Sequence, residues 1–320
     1  MQRITREQSR KYAFDWRDEP LLRVKPGESF EIETYDASTG YFRTPEDKAV
    51  PGKRPGFDRT PPMANPIGGP VYLEGAERGD VVVVTIEDIV VDDYSWVAIG
   101  PRRGPLGEST RWPELSGDYT TKIFKHTPGP SGTTRDGTLH FSDRISWPVT
   151  PFVGTLGVCP DREVVTSLDG QGPWGGNLDV RDFAPGNALH LPVYHPGALL
   201  YAGDVHASQG DTEFTGTAAE TKATVRLRME LLKKTRVPWV RIVKPESIVS
   251  VYADKPLEVA VETATVNLMD WLVTDYGFTP TDAYCLVSTC PDFRIHVYQM
   301  CKIGKLSYVA GAEVPKRYLS

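Results

Sequence analysis

The sequence predicts a mainly β protein of the α+β class, with its helices confined to the C-terminal part of the chain. Twenty-nine glycines and 27 prolines among 320 residues favour many turns and short strands over a helix bundle. Hydrophobic residues make up 40% of the chain and charged residues 24%, which supports a buried core and excludes a disordered chain or a coiled coil. Apolar residues at helical spacing appear only after Pro256.

The N-terminal half carries three strand patterns between segments that predict loops. Two strand-like pieces within residues 21–34 flank a Pro-Gly turn, and residues 81–91 form a β-branched run that predicts a strand buried on both faces. Residues 37–62 and 92–145 are rich in glycine, proline and charge. We expect loops there, with one or two short strands in the second segment.

The C-terminal half predicts a meander, one long strand and two helices. Short apolar runs alternate with glycine turns over residues 148–208. Apolar and polar residues alternate over residues 223–231, which predicts a strand with one solvent-exposed face. After Pro256 the pattern predicts a helix capped at Gly277, then a shorter helix after residues 281–282 and a strand over residues 294–300.

Neither an internal repeat nor a low-complexity linker interrupts the chain. We therefore expect one catalytic unit over residues 1–320, in which an N-terminal β part (1–150) packs against a C-terminal α+β part (151–320).

Charge and hydropathy argue against nucleic acids and membranes as partners. The formal net charge is −6, and no cluster of lysine and arginine is present that would bind phosphates. The N-terminus leads into no apolar run and no stretch is long enough to span a bilayer, so we predict a cytoplasmic protein. The four cysteines lack CxxC spacing, which predicts reduced and mostly buried thiols.

The densest polar constellation lies between residues 175 and 213. Asp204 and His206 are two residues apart, so an extended backbone presents both side chains on one face, as paired metal ligands require. Asp179 offers a third ligand, and three protein ligands with an open position describe a catalytic site of the zinc type. Glu213 then remains to move protons. Residue chemistry alone leaves open that these polar groups cap turns instead.

Outside residues 175–213, the sequence offers no clear motif for a catalytic cysteine or serine nucleophile. Cys159 has no recognisable histidine or acidic partner, and the serines lack the Gly-x-Ser-x-Gly setting of an α/β-hydrolase.

Several sequence blocks, taken together, resemble the acetamidase/formamidase family. In the C-terminal half they are Gly175-Gly176-Asn177-Leu178-Asp179, Leu191-Pro192-Val193, Pro196-Gly197-Ala198-Leu199, the run over residues 203–213 and the run over residues 282–288. In the N-terminal half, residues 24–28, 33–36, 65–71 and 74–80 resemble further blocks of the family. The resemblance spans about residues 20–300, nearly the whole chain.

This resemblance implies a jelly-roll-like β-sandwich with additional C-terminal helices. It also implies a cytoplasmic amide hydrolase that splits short linear amides such as formamide or acetamide into ammonia and a carboxylate. Members of the family are commonly homo-oligomers associated with a divalent metal, and we expect zinc.

Site roles are assigned by chemistry among the family-matching blocks. We expect Asp36, Asp179, Asp204 and His206 to bind the metal. We expect Glu213, His206 and Asn177 to be catalytic, and Asn65, Glu74 and Ser288 to bind the substrate.

The chain departs from the family pattern at one turn and in two loops. Residues 210–213 read Gly-Asp-Thr-Glu where the family tends to Gly-Asp-Gly-Glu, and the loops 37–62 and 96–112 look expanded. A larger or functionalised amide is therefore an open alternative for the substrate.

These expectations combine into metal-assisted amide hydrolysis. The metal would lower the pKa of a bound water towards about 7 and polarise the amide carbonyl. Glu213 would pass the water's proton to the departing ammonia, while Asn65 and Asn177 would donate hydrogen bonds to the carbonyl or oxyanion. Two alternatives stay open: a metal-free amidase that uses Glu213 as its base, and a non-catalytic β-sandwich that binds a small polar ligand.

Overall fold

A computed structural model describes residues 1–319, of which most belong to strands and the turns that join them. Strands account for 37% of the chain and helices for 13%. In chain order the strands are β1 (Gln2–Ile4), β2 (Ala13–Phe14), β3 (Leu22–Val24), β4 (Ser29–Thr34), β5 (Ile67–Leu73), β6 (Val81–Val91), β7 (Tyr94–Ile99), β8 (Thr120–Thr127), β9 (Thr138–Ser142), β10 (Ile145–Pro148), β11 (Phe152–Val158), β12 (Val165–Thr166), β13 (Gln171–Gly172), β14 (Gly175–Asn177), β15 (Ala188–Pro192), β16 (Leu200–His206), β17 (Glu220–Thr221), β18 (Ala223–Leu232), β19 (Arg241–Val243), β20 (Ser247–Asp254), β21 (Arg294–Gln299) and β22 (Tyr308–Pro315). The helices are α1 (Leu257–Tyr276), α2 (Pro280–Thr289) and three short 3₁₀ turns at Pro113–Ser116, Thr134–Asp136 and Lys316–Tyr318.

Two large sheets form the body of the protein. The first has nine strands in the order β1-β4-β18-β6-β15-β19-β20-β22-β21, and the second has eleven, with β10-β9-β8-β7-β17-β16-β11-β14-β13 as its main path and β5 joining β16 to β3. One buried apolar cluster takes side chains from both sheets, such as Val84 from the first and Val153 from the second. The shared core makes the two sheets a sandwich, which confirms the predicted mainly β class.

Strands from the two halves of the chain pair with one another in both sheets. In the first sheet β18 lies between β4 and β6, and in the second β16 pairs with β5. The strands that carry the polar cluster therefore depend on partners from the other half of the chain.

Most predicted elements are present, with two corrections. β6 alternates buried and half-buried residues, so the prediction that it is buried on both faces is wrong; the face that carries Glu87 pairs with Arg228 of β18 instead. The segment over residues 92–145 holds β7, β8, β9 and the start of β10, more strands than predicted. These strands pair consecutively as antiparallel neighbours, and their outward faces carry the polar residues that obscured the pattern.

The two predicted C-terminal helices are confirmed. α1 packs on the first sheet through a separate apolar cluster that contains Leu268, Trp271 and Leu272, and it ends at Gly277, whose φ of 74° is left-handed. Thr279 caps the start of α2 by accepting from the backbone N–H of Asp282. Among residues 1–319, no helix combines the length and the apolar character that a membrane crossing requires.

All four cysteines are free, and two of them are buried. Cys159 and Cys301 lie inside the protein, whereas Cys285 is exposed and Cys290 is partly exposed. The last two lie on or next to α2, which buries only one face, so the prediction that most cysteines are buried holds for half of them.

Candidate active site

The buried polar side chains of the constellation converge on one point of the second sheet. Ligand atoms of Asp179, Asp204 and His206 lie within 4.8 Å of one another, and so do those of His206, Glu213 and Glu220. His206 Nε2 is 3.7 Å from Asp204 Oδ1 and 3.3 Å from Glu220 Oε2. His206 thus joins the two groups into one cluster.

Strand pairing explains how these residues meet. β11 lies between β14 and β16, so Asp179, two residues after the end of β14, reaches across β11 towards Asp204 and His206 on β16. β17 pairs with the end of β16 and places Glu220 directly opposite His206. Gly154 of β11 lies beneath the cluster, because a Cβ at this position would approach Asp179 Oδ1 to 2.7 Å.

Four residues at the site have a left-handed backbone although none is glycine. The φ angles are 52° at Asn65, 48° at Asp179, 57° at Asp204 and 46° at Glu213. Asparagine and aspartate tolerate this region, whereas glutamate does so less readily. Such conformations cost about 1 kcal/mol or more and persist where the surrounding structure imposes them.

Four buried polar atoms of the cluster have no hydrogen-bond partner. They are Asp179 Oδ1, Asp204 Oδ1, His206 Nε2 and Glu220 Oε2. Unpartnered buried polar atoms are rare and costly. The three carboxylate oxygens are acceptors, and His206 Nε2 is an acceptor when the ring is neutral. Two carboxylate oxygens and an imidazole nitrogen that face one another suit a divalent cation such as zinc.

Neighbouring side chains hold the opposite oxygen of each carboxylate. Asp204 Oδ2 accepts from Asn65 Nδ2 at 2.9 Å and from Thr155 Oγ1 at 3.0 Å. Asp179 Oδ2 accepts from Gln299 Nε2. Each carboxylate is therefore oriented by one oxygen and presents the other to the centre of the cluster.

Gln209 determines which nitrogen of His206 faces the acids. Its Nε2 donates to the carbonyl oxygens of Asp179 and Tyr298, at 3.0 and 2.9 Å, so its Oε1 is the atom that faces His206 Nδ1 at 3.0 Å. An amide oxygen only accepts, so Nδ1 carries a proton. In the neutral ring this leaves the lone pair on Nε2, which points at the acids, as a metal-binding histidine requires.

Burial and mutual repulsion raise the pKa of three acids in the cluster. Burial raises the pKa of Asp179 to about 7, although the positive charge of His206 opposes this. Burial, reinforced by the negative charge of Asp179, raises the pKa of Glu213 well above its usual range. Burial also raises the pKa of Glu220. The site thus concentrates negative charge that only protons or a cation can balance.

A small cavity opens next to the cluster. Its volume is about 80 Å³, which admits several waters or a ligand of a few non-hydrogen atoms. Arg54, Phe57 and Arg103, from the two loops predicted to be expanded, line it. Cys301 also lies in its wall, but burial raises the pKa of that thiol to about 12, which makes it a poor nucleophile.

The structure brings only part of the predicted site together. Asn65 and Asn177 line the cavity, but Asn65 Nδ2 is committed to Asp204 and Asn177 Nδ2 donates to the carbonyl of Leu168 at 2.8 Å. Each amide nitrogen carries a second N–H that these contacts do not use, so donation to a substrate carbonyl stays a prediction for both residues.

Three further predicted residues lie apart from the cluster. The Asp36 carboxylate accepts from its own turn, at Ser38 and Gly40, and is not among the converging ligand atoms. Glu74 is exposed after β5, and Ser288 is exposed on α2. We therefore exclude these three from the roles considered below.

Several site residues were missed by sequence reasoning. Glu220, Gln299 and Thr155 contact the cluster directly, yet each lies in or beside an ordinary strand sequence without a polar motif. The one local signal is the pattern Ala218-Ala219-Glu220, in which an acid follows two alanines. Glu220 lies buried in β17, where a carboxylate without a partner is costly.

Comparison with known proteins extends the resemblance to the full chain. The protein-family sequence model described as "Acetamidase/Formamidase family" matches residues 2–172 and 170–315 of this chain. An acetamidase of Mycolicibacterium smegmatis is 25% identical over 84% of this chain and 82% of its own length, and a formamidase of Methylophilus methylotrophus is 25% identical over 86% and 81%. The crystal structure of an acetamidase from Yersinia enterocolitica superimposes with a TM-score of 0.86 at 30% identity, covering 100% of this chain and 93% of the other.

Proposed function

Because this chain belongs to the acetamidase/formamidase family, we propose that it hydrolyses the C–N bond of short linear amides such as formamide and acetamide, releasing ammonia and a carboxylate. The observation that carries the proposal is the set of four unpartnered acceptor atoms beside a cavity that admits only a small ligand. Such a site suits metal-assisted attack of water on a small carbonyl compound.

The proposed ligands of a divalent metal are Asp179, Asp204 and His206. Glu220 lies next to His206 and offers a fourth acceptor. When bound, the ion would supply Lewis acidity towards the amide carbonyl and lower the pKa of a water molecule. Asn65, Thr155, Gln299 and Gln209 keep the ligand atoms oriented, as described above. Zinc is the metal that this donor set suits best.

Glu213 is the proposed proton carrier. Its carboxyl group is buried in the wall of the cavity, and burial beside the charge of Asp179 raises its pKa well above its usual range, so that it can hold a proton. It would take a proton from the attacking water and give it to the departing nitrogen. The C–O bond forms first as water adds to the amide carbon, the C–N bond then breaks, and the nitrogen leaves as ammonia with the proton from Glu213.

The test is ammonia release from formamide and acetamide by the purified protein, measured with the metal content of the same sample. We expect turnover that falls on chelation and returns with zinc, and a loss of about 100-fold or more in Glu213→Gln. Glu246→Gln, a matched change at an exposed position, is the control. Full turnover by chelated protein of negligible metal content would favour the metal-free alternative, and no ammonia from metal-loaded protein would refute amide hydrolysis.

Family membership also supports four broader proposals. We propose a homo-oligomer in the cytoplasm, in which residues 1–320 act as one catalytic unit, with no nucleic acid or membrane partner. Light scattering and cell fractionation test the assembly and the location.

A further inference from the structure

The cavity presents unpartnered donors as well as unpartnered acceptors. Arg54 Nε and Trp96 Nε1 are buried without a hydrogen-bond partner, and both residues line the cavity that adjoins the acidic cluster. A buried N–H without an acceptor is destabilising, and more so when the group is charged. Each therefore marks a place where a ligand oxygen would be stabilised.

Arg54 is held in position by contacts that leave its charge unpaired. Its Nη2 donates to the carbonyl of Ala37 at 2.7 Å, and its guanidinium lies 3.9 Å from the centre of the Phe57 ring. Burial lowers the pKa of Arg54 to about 10, so the group stays positive at neutral pH.

Arg103 adds a second cation to the same wall. Neither it nor Arg54 forms an ion pair with any residue in the described part of the chain, whereas Arg226 and Arg228 pair with acids on the sheet surface. Arg103 is half-buried, whereas Arg54 Nε is fully buried. The negative charges of Asp36 and Glu220 act on Arg54 from beyond ion-pair distance, so this N–H still lacks an acceptor. The guanidinium fork matches the two oxygens of a carboxylate.

A simple amide does not satisfy these donors. Formamide and acetamide have one acceptor, the carbonyl oxygen, and the proposed reaction engages it at the acidic cluster. Arg54 Nε makes no hydrogen bond to the acids of that cluster, so it remains able to donate to another part of the ligand. The small volume of the cavity places that part within a few bonds of the amide carbon.

We propose that the preferred substrate is a short amide whose acyl group carries a carboxylate, and that Arg54, assisted by Trp96 and Arg103, binds this carboxylate. The inference rests on the proposed amide hydrolysis and specifies its substrate class. For such a substrate, water adds to the amide carbon, the C–N bond breaks, and the products are ammonia and a dicarboxylate. No oxidant or further reactant is needed.

The test compares two amides with the same number of non-hydrogen atoms. Malonamate carries the carboxylate, and 3-methylbutanamide carries a neutral branched group in its place. In the wild-type enzyme we expect kcat/KM to favour malonamate by about 10-fold or more, and Arg54→Met to reduce that preference about 10- to 100-fold. The variant should lose less turnover of 3-methylbutanamide than of malonamate, and Arg54→Lys should recover part of the preference.

Arg59→Met is the matched control, since Arg59 lies exposed in the same loop, and it should leave the preference unchanged. Equal losses on both amides in Arg54→Met would identify Arg54 as a general support of the site and overturn the substrate class. A wild-type preference for the neutral amide would also overturn the substrate class, and that measurement does not depend on the folding of any variant. If neutral amides are hydrolysed without preference, only this inference fails; if metal-loaded enzyme releases ammonia from none of these amides, the proposed function fails with it.

Discussion

Replacement of Gly154 by alanine tests whether the buried cluster depends on its exact spacing. The added Cβ would lie 2.7 Å from Asp179 Oδ1, 2.7 Å from the Asp204 carbonyl oxygen and 3.1 Å from His206 Cε1. The backbone of Gly154 is not left-handed, so the substitution adds no conformational strain of its own. Any effect therefore comes from the contacts of one methyl group.

The size of the effect follows from how far the cluster must move. An ordinary contact begins at 3.4 Å, so the Asp179 carboxylate has to retreat by roughly 0.7 Å. β11 cannot yield easily, because it pairs with β14 on one side and β16 on the other. We expect overpacking to lower the free energy of unfolding by about 1–3 kcal/mol. Displacement of a ligand on this scale should lower kcat/KM by about 10- to 100-fold.

The assay is ammonia release at saturating zinc, together with zinc affinity by chelator competition and the free energy of unfolding in urea. Gly210→Ala is the control, because a Cβ there meets nothing within 4 Å and its backbone is not left-handed either. If Gly154→Ala binds zinc and turns over amide within twofold of Gly210→Ala, the cluster tolerates displacement and the argument from its geometry is refuted.

Three other variants test the residues around the cluster. Gln209→Met removes the acceptor that orients His206, and should weaken zinc affinity about 10- to 100-fold in chelator competition, while an unchanged affinity would show that the ring needs no such support. Burial would raise the pKa of Glu313, but hydrogen bonds led by that from His296 hold it at about 2. The ionised Glu313 therefore stabilises the folded state above about pH 5, and this stabilisation is lost as the pH falls towards 2. In urea titrations, Glu313→Gln should reduce the pH-dependent part of the free energy of unfolding by about 2 kcal/mol. If the variant and the wild type lose the same free energy of unfolding between pH 5 and pH 2, the assignment is wrong. Cys301→Ala should keep kcat within a few fold because its thiol stays protonated, and a complete loss of ammonia release would instead indicate a nucleophile.

The parts of the fold that were predictable are those with a local pattern. β18 alternates along its whole length, and α1 shows helical spacing with a glycine cap, so both are evident within a single stretch of sequence. The strands between residues 92 and 145 were obscured because their stability comes from antiparallel partners, not from an apolar run of their own. Pairing of that kind leaves little trace in any one segment.

The same distinction applies to the site. Asp204 and His206 were predictable because two positions in one strand share a face. Asn65 donates to Asp204 across 139 positions of sequence, and Gln299 reaches Asp179 across 120, so only the folded chain reveals these contacts. Residue type suggests Asn65 as a donor to substrate, and the fold commits one of its two N–H groups to a ligand carboxylate.

The central claim is that Asp179, Asp204 and His206 together hold the metal used in amide hydrolysis. Anomalous diffraction at the zinc edge from crystals of the active enzyme tests it most directly. We expect one strong peak within bonding distance of these three side chains, lost in crystals of His206→Ala. A peak only at the other acidic group that contains a histidine, Asp182, His296 and Glu313, or no peak in fully active crystals, would contradict the claim.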